Sequence, residues 1–76
     1  MSNKKQLEAQ LKAAEERLQI TSQVLAVAEG EVGKRSREKT LTTSELDEAI
    51  ILLGELRHDY RVAERNLIRV RRELGR

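Results

Sequence analysis

Residues 41–56, LTTSELDEAIILLGEL, hold both the start of a helix and the most apolar turn of the chain. Thr42 suits an N-cap, because its hydroxyl can accept a hydrogen bond from a free amide of the first turn. Glu45, three residues on, completes a capping box, and Leu41 and Leu46 have the spacing of a hydrophobic staple. Glu45, Asp47 and Glu48 favour the positive end of the helix dipole. Downstream, Ala49, Leu53, Leu56, Tyr60, Ala63, Leu67, Val70 and Leu74 recur at steps of four and three, and Leu46 extends the row by one position. That recurrence is a heptad seam. Arg71, Arg72 and Arg76 suit the negative end of the dipole, and Gly75 can stop the helix. The spacing predicts a helix over about 43–74.

Upstream of this stretch, Lys34–Thr40 contains no apolar residue. Gly30 and Gly33 precede it, and each costs about 1 kcal/mol relative to Ala inside a helix. These features predict a linker over about 30–42. Before it, Leu7, Leu11, Ala14, Leu18, Thr21, Leu25, Ala28 and Val32 form a second seam, flanked by Ala13, Ile20 and Val27 with Val24 beside them. A first helix is therefore expected over about 4–29. A connection of that length lets the two helices fold back as an antiparallel hairpin. The reading is all-α, a single domain over 1–76. Its alternative adds a short β-hairpin in the connection, with Val24–Val32 pairing against Ser36–Leu41.

The 76 residues are 38% apolar, 37% charged and 1% aromatic, so any core must be aliphatic. A chain this short needs staples, idealised helix packing or a partner. There is no Cys, which excludes disulfides and thiolate metal sites, and a single His argues against a His-based metal cluster. No stretch is apolar enough to span a bilayer and none reads as a signal peptide, so a cytoplasmic location is expected. The formal charge of +2 is unevenly spread: 1–33 is nearly neutral, 34–39 basic, 40–55 acidic and 56–76 basic. Such asymmetry bears on partners rather than on fold.

Nothing in the chain converges on catalysis. His58, Asp59 and Tyr60 are adjacent, and adjacent residues of a helix point to different sides. Glu15–Glu16 and Asp47–Glu48 share that defect. Gly30, Gly33 and Lys34 lack the spacing of a phosphate loop. No enzyme activity, cofactor or metal is expected.

Two features point to partners. Ile50, Ile51, Leu52 and Leu53 make the second helix apolar over most of its circumference for one turn, and Gly54 follows directly. With Leu56, Tyr60 and Leu67 they form the expected oligomer or partner interface. Arg57, Arg61, Arg65, Arg69, Arg72 and Arg76 form a stripe along the second helix, which contains no Lys. Arg offers a planar fork to carboxylate or phosphate, so the stripe reads as an anion- or partner-binding row, or as a plain solvated flank.

The residues around the linker resemble the small phage head–tail joining proteins, the group typified by the lambda protein gpW. The matching stretch runs Ala26–Gly30, then Gly33 and Arg35, then Thr40–Ile50. The resemblance implies a first helix ending at a Gly, a β-hairpin over Glu31–Leu41 and a second helix. It also implies a virion protein that assembles in multiple copies at the junction of portal and tail.

The leading expectation is a non-enzymatic structural protein that oligomerises and joins larger assemblies, as in a phage neck. It would pair with itself and with another structural protein. The alternatives are a homo-oligomeric coiled-coil module that regulates a protein partner, and a nucleic-acid-binding accessory using Lys34–Lys39 and Arg57–Arg76, which is not favoured.

Overall fold

A computed structural model describes residues 2–75. Two helices make up the fold, α1 over Ser2–Arg37 and α2 over Thr43–Glu73. They pack antiparallel in a rod whose Cα extents are 57 × 16 × 15 Å. The described residues contain no strand. The β-hairpin in the connection is therefore replaced by helix, and the linker shrinks from about 30–42 to the five residues 38–42.

The first helix runs eight residues past its expected end for physical reasons. Val32 keeps the seam going beyond Gly30 and is half-buried. Lys34, Arg35 and Arg37 place positive charge in the last turn, where the dipole favours it. The Arg35 guanidinium also donates to Glu45 Oε2 at 3.2 Å. Two isolated glycines, at about 1 kcal/mol each, do not outweigh a continued seam.

The end of α1 is a Schellman turn. Thr40 N–H donates to the Arg35 carbonyl at 3.0 Å, and Lys39 N–H donates to the Ser36 carbonyl at 3.1 Å. Lys39 occupies the left-handed position, with φ of 55°. That region costs a residue with a Cβ on the order of 1 kcal/mol and costs glycine almost nothing. Lys39→Gly is expected to stabilise the protein by about 1 kcal/mol, read as a rise in thermal midpoint. A fall in midpoint would mean that the Lys39 side chain contributes more than its backbone costs.

At the start of α2 the capping box forms in full. Glu45 N–H donates to Thr42 Oγ1 at 3.1 Å, and Thr42 N–H donates to Glu45 Oε1 at 3.1 Å. The Thr42 amide and hydroxyl, then Arg35, hold the Glu45 carboxyl below its ordinary value of 4.5. A carboxylate lowered on folding stabilises the protein above its unfolded value, and that contribution is lost as pH falls through the folded one. The thermal midpoint of the parent should therefore exceed that of Glu45→Ala at pH 7, and the gap should narrow below about pH 4. A gap that is constant down to pH 2 would show that the charged carboxylate is not what holds the turn. At the far end, Gly75 takes a φ of 76° just after Leu74, and so ends α2 as expected.

The core is thin and sits toward the open end of the hairpin. Leu11, Ala14, Leu67 and Val70 form one buried cluster, with Leu18 and Leu74 packed against it. Ala63 is also buried. Thr21 is the buried polar residue of the seam, and its hydroxyl donates to the carbonyls of Arg17 and Leu18 at 2.9 and 3.0 Å. Every seam position of α1 is buried or half-buried, and so is every seam position of α2 from Ala49 onward. Leu46, at the first turn, is 38% exposed.

Candidate interaction surface

The antiparallel packing gives the hairpin two unlike flanks. In α1, positions 15, 22 and 29 lie on one side of the seam, and 13, 17, 20, 24, 27 and 31 lie on the other. In α2, positions 50, 57, 64 and 71 and positions 52, 55, 59, 62, 66 and 69 divide in the same way. The grooves between the helices show which sides match. One groove is lined by Glu15, Gln19 and Ser22 together with Tyr60 and Arg71. Another is lined by Gln10, Ala13 and Arg17 together with Asn66 and Arg69.

The first flank is ionic. Arg57 donates to Glu29 Oε2 at 3.0 Å, and Arg71 Nη2 lies 4.0 Å from Glu15 Oε2. These side chains are about half exposed. Such pairs contribute about 0.5 kcal/mol or less, and they set the pairing of the helices more than its strength.

The second flank is apolar. Ile20, Val24 and Val27 of α1 and Leu52 and Val62 of α2 lie on it with 46–73% of their surface exposed. Glu55 and Asp59 of α2 share this side and are exposed. Scattered apolar residues are ordinary on a protein surface; a contiguous row beside the seam marks a face that a further helix can cover.

The structure divides the expected interface residues. Leu53, Leu56, Tyr60 and Leu67 lie in the seam against α1, half-buried or buried. Ile50, Ile51 and Leu52 remain 60%, 63% and 48% exposed. Leu52 joins the apolar flank, Ile50 falls on the ionic flank and Ile51 on the back of α2. A Cβ added at Gly54 would meet nothing within 4 Å, so no neighbour within the hairpin approaches it. Ile68, also exposed, stands apart from the apolar row. The flanking row of α1 supplies three of the five residues of this flank, and sequence periodicity alone does not show that Leu52 and Val62 stand beside it. That follows only from the antiparallel pairing.

The arginine row does not stay on one face. A step of four residues turns about 40° around a helix, so the row from Arg57 to Arg69 winds through about 120°. It starts on the ionic flank at Arg57, crosses the back of α2 and reaches the apolar flank at Arg69, which is bound to Glu73 at 3.0 Å and to Asn66 at 2.9 Å. Arg61, Arg65 and Arg72 are exposed, and Arg76 lies outside the described residues.

His58 and Asp59 are exposed on α2 and Tyr60 is half-buried in the seam, so the three side chains diverge. Among the described residues there is no group of three or more His, Cys, Asp or Glu that could hold a metal ion. Four grooves along the described residues are open surface depressions of 240–490 Å³. No described helix is long and apolar enough to cross a membrane. Comparison with known proteins returns no matching family model, no matching curated protein and no matching solved structure.

Proposed function

We propose that this chain is a non-enzymatic assembly protein that acts by helix–helix association, first with copies of itself and then with a larger protein partner. The observation that carries this reading is the apolar flank of Ile20, Val24, Val27, Leu52 and Val62, exposed beside a seam that is already filled. A lone hairpin leaves that row in water, whereas a helix laid along it would bury several aliphatic side chains, each worth about 1.5–3 kcal/mol when fully covered. The opposite flank carries two half-exposed ion pairs, Glu29–Arg57 and Glu15–Arg71, where this flank carries the aliphatic row.

The phage head–tail joining role is the narrower form of this reading and rests on residues 26–50. The continuous helix through Arg37, where that group would place a β-hairpin, favours the broader form, a helical interaction module. The winding, partly paired arginine row favours a protein partner over a nucleic acid. Light scattering across a concentration series tests the proposal. A mass above that of the 8.7 kDa chain is expected, whether constant or rising with concentration. A monomer at every concentration into the millimolar range would overturn self-association.

A further inference from the structure

We propose that a second copy of this chain docks on the apolar flank with α1 against α1, antiparallel, about a two-fold axis at Val24. The inference rests on the self-association reading above and names its face, register and symmetry. Along this line of α1, Ile20, Val24 and Val27 are 54%, 46% and 73% exposed. Charges of opposite sign bracket them. Arg17 and Glu31 each stand seven residues from Val24, one on either side, which is about 10.5 Å along the axis. Neither has an ion-pair partner among the described residues.

Reversing one copy brings Arg17 opposite Glu31 at both ends, Ile20 to within about 1.5 Å of register with Val27 twice, and Val24 opposite itself. The row is thus self-complementary in both hydrophobicity and charge, as an isologous contact requires. The other two-fold arrangement lays α1 over α2 of the copy. It would bring Arg17 toward Arg69, which line one groove together, and Glu31 toward Glu48, which line another. Like charges would then meet at both ends. On α2, Glu55 and Asp59 lie exposed on this flank. These acids keep that side hydrated and tip the contact onto α1.

The absence of native cysteine makes the test direct. Single-cysteine variants are treated with a short bis-maleimide. Val24→Cys is expected to cross-link to a second copy. Ala13→Cys is expected not to, because in an antiparallel pair centred at Val24 the two copies of position 13 lie about 33 Å apart. Ile51→Cys, on the back of α2, reports random collision. Cross-linking of Ala13→Cys as readily as Val24→Cys would overturn the antiparallel register, and cross-linking of Ile51→Cys in preference to both would overturn the face. A charge exchange gives a second readout. Arg17→Glu is expected to raise the dimer Kd about tenfold, and adding Glu31→Arg should restore it. No restoration would sink the Arg17–Glu31 pairing. If the parent protein associates by light scattering while Val24→Cys stays uncrosslinked, this face is wrong and self-association stands. If the parent is monomeric throughout, both fail.

Discussion

Val70→Asp is expected to leave the chain unfolded at 25 °C. Val70 is 0% exposed and belongs to the buried cluster at the open end, with Leu11, Ala14 and Leu67. An aspartate there would hold a carboxylate with no partner in reach, and an unpaired buried charge costs several kcal/mol. A chain of this length has about 4–11 kcal/mol of stability at about 0.05–0.15 kcal/mol per residue. The core has few other side chains to absorb the loss. Leu67→Ala removes three carbons from the same cluster and should cost about 2–5 kcal/mol, leaving a weakened but still cooperative transition. Far-ultraviolet circular dichroism with thermal melts separates the two outcomes. A Val70→Asp melt that stays cooperative and within about 5 °C of the parent would show that the open end of the hairpin is not closed in solution.

The second large effect is on association and leaves the fold in place. Ile20→Glu combined with Val27→Glu puts two carboxylates on the exposed row of α1, at positions that are 54% and 73% exposed. Both lie beside the seam and outside the buried cluster, so the stability of the hairpin itself should change by about 0.5 kcal/mol or less per site. Across an interface between two copies the same pair of changes places four charges in apolar contact. The expected result is at least a hundredfold weaker association, on the scale of about 1.4 kcal/mol per tenfold, with the helical signal unchanged. Light scattering at matched concentrations measures it. Undiminished association would show that the copies meet elsewhere, with Ile50 and Ile51 the next surface to test.

Much of this fold is legible in the sequence because helical periodicity is a local property. Leu11, Ala14, Ala63, Leu67 and Val70 are seam positions by spacing alone, and all are buried. The start of α2 is equally legible, since Thr42, Glu45 and the residues between them contain the whole capping box. The end of α1 is not. Gly30 and Gly33 carry the usual signal for a helix end, but the actual stop comes at Lys39, a residue whose left-handed backbone no composition rule announces. The strength of a continued seam, together with Arg35 reaching Glu45, outweighs both glycines. The interaction surface is legible only in part. Sequence spacing marks Ile20, Val24 and Val27 as a row and Ile50 to Leu52 as an apolar turn. It does not say that the exposed row of α1 and the ion pairs Glu29–Arg57 and Glu15–Arg71 lie on opposite flanks, because that depends on how the two helices face each other.

The placement of the buried cluster has a mechanical consequence. Leu11 and Val70 touch the same small core although they stand about sixty positions apart in the chain. Bringing together the ends of a long loop is slow and costs more entropy than closing a short one, by about 0.6 kcal/mol per doubling of length. Loop-closure entropy therefore favours closing the capped turn at residues 38–42 before the cluster at the open end comes together. A force that separates the two helices at the open end loads that cluster first and reaches the turn only after it has failed. The hairpin is thus built as a clasp that peels from its open end once that cluster gives way.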